Sequence, residues 1–223
     1  MKKTAFIFIS FVIVNNYLSA FGLYLEGGVG YDTDQNVGLG YVVDAKGAYT
    51  GIGAGVIFGE HNNTDFLITL GINIDFLIKP EIGFVRGEER YEVQNLADSA
   101  SLRVMPFLGI SKNVILDWLY IGFGLGYSNT GLYFGMRPLL YDKEYTSYHL
   151  SSNAITPMFF IRTYTVGGLY FSLNYEADIV INGKIKKLAG DPLAGFNNID
   201  GSTDIKGVHH RARLVIGYVL GFE

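Results

Sequence analysis

Two groups of residues in this 223-residue chain have types and spacings that bear on chemistry. Glu176 and Asp178 lie two apart, and so do Arg211 and Arg213. On extended backbone such residues share a face, so two neighbouring strands would set carboxylates against guanidiniums across the ladder. Glu26, Asp75 and Arg103 occupy comparable positions in other segments. The second group is His149-Leu-Ser151, a base and a hydroxyl on one strand face, the start of an acyl-transfer nucleophile. It lacks a well-placed orienting group. Asn153 shares the face but sits close by, Thr163 stands twelve residues after Ser151, and Glu176 is remote. A loop-edge His and Ser is the simpler reading, so the chain reads as a non-enzyme. His209 and His210 point to opposite faces by alternation and cannot chelate one ion as a strand. His61, beside Asn62 and Asn63, reads as a solvated loop tip. Without Cys, disulfides and thiolate metal sites are excluded. The Gly-x-Gly runs alternate within strands and open no helix, so they are not nucleotide loops. No cofactor or metal is expected.

The elements that must position these residues are strands. In Phe66–Ile78 every even position is large and apolar, while Thr69, Gly71, Asn73 and Asp75 stand between them. Such period-2 alternation marks a strand with two different environments, and it recurs along most of the chain. Strands are expected at Leu23–Tyr31, Val37–Asp44, Thr50–Gly59, Phe66–Ile78, Glu81–Arg86, Leu102–Ser111, Leu119–Tyr127, Asn153–Arg162 (phase unclear), Leu169–Asp178 and Val208–Phe222. The sequence therefore predicts an all-β transmembrane, antiparallel up-and-down barrel of about ten strands, apolar outside and polar within. Eight strands result if Val37–Gly59 pairs differently or Asn153–Arg162 is not a membrane strand.

Connection lengths sort by parity. Ala45–Gly47, Lys79-Pro80, Lys112–Val114 and Thr163–Gly168 read as short periplasmic turns, and Gly87–Ser101, Asn129–Leu150 and Asn182–Gly207 as long outer loops. Gly28, Gly30, Gly38, Gly40, Gly51, Gly53 and Gly55 fall on the inner face of the first strands. A wall without side chains leaves a cavity opposite the charges, unless large residues such as Met105 and Phe107 fill it. A soluble lipocalin-like barrel is the rival fold, but it gives little reason for so uniformly apolar a face.

The first residues read as a secretory signal: Lys2 and Lys3, an apolar run from Ala5 to Val14, then polar Asn15 and Asn16. The run is too short to span a bilayer as a helix. Ala20-Phe21-Gly22 suits cleavage, so residues 1–22 are expected to be the signal and 23–223 one barrel domain. Losing Lys2 and Lys3 takes the 17 basic residues to 15 against 21 acidic, a net charge of −6. That balance argues against nucleic acid as a partner. Twenty-nine Gly, 16 Tyr and 16 Phe suit close-packed strands with aromatic belts.

The ending Leu214-Val-Ile-Gly-Tyr-Val-Leu-Gly-Phe222 resembles the closing strand of bacterial outer-membrane barrels, with Glu223 as a departure because the aromatic is normally last. In architecture the chain resembles the small barrels of the OmpA-type anchor, OmpX and OmpW group. The resemblance implies residence in the outer membrane, contact with its lipid and lipopolysaccharide, and assembly machinery reading Tyr218, Leu220 and Phe222. His149-x-Ser151 is similar to the arrangement of outer-membrane phospholipases and lipid A deacylases. The function expected is that of a structural or surface-interacting barrel, meeting extracellular ligands through its outer loops. In that reading Glu26, Asp75, Arg103, Glu176, Asp178, Arg211 and Arg213 form a charge network filling the lumen. The alternatives are a porin-like small-solute channel lined by those charges and, behind it, a lipid acyl hydrolase using His149 and Ser151.

Overall fold

The computed structural model describes residues 21–38, 41–59, 66–78, 81–86, 89–92, 100–115, 118–136, 146–165, 167–189 and 202–221. Ten strand segments follow one another: β1 (Phe21–Gly38), β2 (Tyr41–Phe58), β3 (Phe66–Ile78), β4 (Glu81–Arg86), β5 (Glu89–Glu92), β6 (Ala100–Ile115), β7 (Leu119–Met136), β8 (Thr146–Tyr164), β9 (Leu169–Ala189) and β10 (Ser202–Leu220). They make eight staves. β3 and β4 lie end to end along β2, because Tyr49 faces Leu77 and Lys46 faces Glu81. Three steps on β2 thus oppose four on its partner, the count of a β-bulge. β5 pairs with β4 and β6 with β3, so these two also share a stave. All pairings are antiparallel, and β1 pairs with both β2 and β10, which closes the ring.

The barrel is thus up-and-down and all-β, and it takes the smaller of the two strand counts. Two expected turns are responsible. Ala45–Gly47 lies inside β2, paired with Asp32, Thr33 and Asp34 of β1. Lys79 and Pro80 lie outside the described residues, but the segments on either side continue in one direction. Lys112–Val114 also belongs to a strand, the end of β6. The Thr163–Gly168 turn is real but tighter. The Thr165 N–H donates to the Leu169 carbonyl at 2.7 Å, and Gly167 and Gly168 take positive φ. The Gly168 carbonyl accepts from the Val219 N–H at 2.9 Å, tying this turn to β10. β1 begins at Phe21, two residues ahead of the expected mature start.

Alternation fixes the faces. On the outside, Leu23, Leu25, Val29, Ile52, Leu70, Leu108, Leu125, Leu173, Leu214 and Leu220 are exposed. A barrel whose outer wall is apolar and whose interior holds Arg, Asp and Glu inverts the arrangement of a soluble protein and suits lipid. The soluble lipocalin-like alternative is thereby set aside. On β7 the apolar wall covers Leu119–Tyr127, about the 9–11 residues with which a tilted strand crosses a bilayer. Beyond it the strand continues with Asn129 outward, hydrogen-bonded to outward Asn153 at 2.7 Å. The staves β7 to β10 therefore stand well past the apolar band, through segments expected to be loops (parts of Asn129–Leu150 and Asn182–Gly207).

The interior has three levels. At the end where β1 begins and β10 ends, Tyr24, Ile57, Leu67, Tyr120, Tyr170 and Val219 belong to an apolar cluster. At the far end, inside the extended staves, Leu132, Phe134, Tyr148, Leu150, Ile185 and Ile205 are buried. Between these floors lie the charges.

Candidate functional site

Each charged side chain reaches the middle level because its strand neighbours face outward. Arg103 lies between exposed Leu102 and half-buried Val104, and Glu176 between exposed Tyr175 and half-buried Ala177. Arg103 is the hub. Its Nη1 donates to Asp75 Oδ2 at 2.8 Å and Glu176 Oε2 at 2.7 Å, and its Nη2 to Asp178 Oδ1 at 2.8 Å. Asp178 joins this hub to a second: Arg211 Nη1 donates to Asp178 Oδ2 at 2.7 Å, while Arg211 Nε donates to Asp32 at 2.6 Å. Thr156 Oγ1 donates to Asp178 Oδ1 as well, at 2.5 Å. A third group gathers at Glu26, which accepts from Tyr170 Oη at 2.5 Å and lies 3.8 Å from Arg213 and 3.9 Å from Arg162. Arg213 also stands 3.6 Å from Asp75, which links the third group to the first. The Arg162 guanidinium lies over the Tyr170 ring at 4.6 Å and the Phe160 ring at 5.2 Å, a cation–π arrangement.

The structure thus brings Glu26, Asp75, Arg103, Glu176, Asp178, Arg211 and Arg213 into one layer. Their pairing differs from the ladder expected. Arg211 is opposite Glu176 but bonds diagonally to Asp178, and Arg213 is opposite Asn174 and turns to Glu26 and Asp75. Asp32 and Arg162 belong to the network and were not read from the sequence. Asp32 lies one residue past the expected end of its strand, and Arg162 lies on the segment whose apolar residues on both faces hid its phase. Among the described buried residues, four arginines meet five carboxylates. The charges therefore nearly cancel, as burial at this depth demands.

The glycine wall is covered, not empty. A Cβ on Gly53 would lie 2.8 Å from Glu26 Cγ, and one on Gly28 or Gly51 would run into Arg213 or Asp75. Glycine here lets long charged side chains lie flat against the first three strands. Gly38 sits at the end of β1, opposite Tyr41, and Gly40 lies outside the described residues. Met105 and Phe107 are buried in the floor cluster. The layer is buried: Arg103 and Arg213 are each 1% exposed and Glu176 0%.

His149 and Ser151 share the outward face of β8, past the apolar band. His149 is stacked on Tyr133, centroids 4.2 Å apart, and its cross-strand neighbours are Tyr133 and Lys186. Neither neighbour is a carboxylate or an amide that could orient the imidazole. His209 is buried and His210 faces outward, its Nδ1 2.7 Å from Tyr175 Oη. Among the described residues no three His, Asp or Glu gather to hold a metal ion. Tyr218 and Leu220 lie exposed on the outer wall, and Phe222 lies outside the described residues. His61 also lies outside them.

Fold and interior together define a small transmembrane β-barrel of the outer-membrane type. No protein-family model matches the sequence, and no curated protein matches it. Solved structures do match in fold. A major outer membrane protein from Thermus thermophilus superposes with a TM-score of 0.51 at 11% identity, covering 90% of this chain and 100% of that one. OprG from Pseudomonas aeruginosa gives 0.49 at 12% identity over 90% and 96%. Neisserial surface protein A gives 0.45 at 11% over 90% and 97%. The likeness is one of fold.

Proposed function

We propose that this chain is a closed outer-membrane barrel, exported by a cleaved signal, that acts as an integral structural or surface-interacting protein rather than as a pore or an enzyme. One observation carries the reading: the lumen is filled at mid-depth by a buried ion-pair layer, capped by apolar side chains on both sides. Ions permeate through wet, charge-lined passages. A layer of opposite charges set against one another and buried on every side offers none. In this reading the termini lie on the periplasmic side and the extended staves project outward, so contacts with the surroundings are made by the projecting end and its loops. Planar-bilayer recording of the refolded chain tests this. A silent membrane is expected after heat-modifiable migration on a gel has confirmed folding. Discrete conductance steps, altered by Arg211→Ala, would replace the closed barrel with a channel.

A further inference from the structure

Among the described residues, three outward lysines cluster on two neighbouring staves, whereas Lys46 and Lys112 stand singly elsewhere on the outer wall. On β9 the continuous run of exposed aliphatics ends at Ile181, and Lys184 and Lys186 follow on the same outward wall, with exposed Leu188 beyond them. On β10 the exposed Val208 is followed, towards the far end, by exposed Lys206. β9 and β10 are neighbours, so the three ammonium groups share one patch just past the edge of the apolar band. Lys184 faces Ser151 of β8, and Lys186 faces His149, which widens the patch with a hydroxyl and an imidazole. Asp204, opposite Lys184, is the one exposed acid among the described residues of this patch, and it leaves three lysines against one carboxylate. Level with these lysines on β7 stand uncharged Gly131 and Tyr133, and the neutral pair Asn129 and Asn153 lies just below. The rim at the other end is different again. There, outward Lys112 lies over the Phe66 ring at 5.7 Å, near exposed Trp118, the usual anchoring of a long cationic side chain at an interface.

Resting on the membrane reading above, we infer that the β9–β10 patch is a docking site for a lipid of the outer leaflet that carries more than one phosphate. Two features select this occupant. The patch is continuous with the lipid-facing wall, at the depth where headgroup phosphates begin. Lys184 and Lys186 are two residues apart on one strand, about 7 Å along it, with Lys206 on the neighbouring strand. That spread suits two separated phosphates better than one. Three lysines near an anionic surface should together change affinity by a factor on the order of a hundred.

The test is native mass spectrometry of the folded full-length barrel with bisphosphorylated lipid A, monophosphorylated lipid A, phosphatidylglycerol or phosphatidylcholine added. Bisphosphorylated lipid A should bind best, and more weakly as salt rises. The triple variant Lys184→Gln/Lys186→Gln/Lys206→Gln should lose at least roughly tenfold of that affinity, and Lys112→Gln at the other rim should lose none. Equal binding of phosphatidylglycerol would overturn the requirement for two phosphates. Equal binding of phosphatidylcholine, or an unaltered triple variant, would overturn the site. Heat-modifiable migration in lipid is recorded first for every protein, since its absence in the parent chain would overturn the membrane reading itself.

Discussion

Arg103 donates to three carboxylates at once, and this sets the cost of removing it. In Arg103→Met the side chain remains long enough to fill the space, but Asp75, Glu176 and Asp178 lose their shared cation in a buried layer. Breaking a buried pair by removing one partner costs about 3–5 kcal/mol. A fall of that size is expected in urea titrations of the refolded barrel in lipid vesicles. A fall within about 0.5 kcal/mol, the usual range for an unremarkable surface change, would mean that the layer is wet. The glycines make an independent test of the same packing. A Cβ on Gly55 would run into the Leu70 carbonyl, which is backbone and cannot turn aside, whereas a Cβ on Gly27 meets nothing within 4 Å. Gly55→Ala should therefore cost about 1–3 kcal/mol by overpacking. Gly27→Ala should be neutral or slightly stabilising in the same titration.

At the scale of elements, the strands and their faces were legible where lipid lies outside, and much less so where it does not. Phe66–Ile78 and Leu119–Tyr127 announce themselves because lipid demands an apolar residue at every second position. Past the band that demand ends. Lys46 and Ala48 of β2 face outward there, and the loss of alternation looked like a turn although the backbone pairs without a break. The same change of solvent made strand look like loop at Asn129–Met136 and Thr146–Asn153. The charge layer was readable because Glu176, Asp178, Arg211 and Arg213 keep strict phase. The partner each charge chooses was not, because diagonal reach depends on the stagger of neighbouring strands. This account predicts a gradient along one stave. Leu125→Arg, in the middle of the lipid-facing wall of β7, should cost on the order of 2–4 kcal/mol. Asn129→Arg, four residues further on the same face, should cost about 0–1 kcal/mol. Equal costs, measured by folding in vesicles, would show that the edge of the bilayer does not fall between them.

The whole molecule joins two barrels of opposite polarity end to end. The lower storey is apolar outside and holds the charges inside above an apolar floor, and the upper storey is largely polar outside, exposed Tyr133 and Leu188 apart, with Leu132, Phe134, Leu150, Ile185 and Ile205 buried within. Its Phe134 and Tyr148 rings stack across the lumen wall with centroids 5.7 Å apart. One continuous set of staves serves both because alternation fixes only which residues share a face, while the solvent decides which face is apolar. Each storey should then respond to one substitution in its own way. Leu150→Ala removes a side chain that is 1% exposed and packed among protein atoms, which cannot flow into the space left behind. A loss of about 2–5 kcal/mol is expected, the sum of a transfer and a cavity contribution. Leu125→Ala removes the same atoms from a wall 58% exposed to its surroundings, where mobile lipid chains close around the smaller side chain and leave no cavity. Its loss should be clearly smaller. Urea titration of both variants in one lipid gives the comparison. A larger loss at Leu125 would mean that the outer wall is packed against protein, as in an oligomer, and not against lipid.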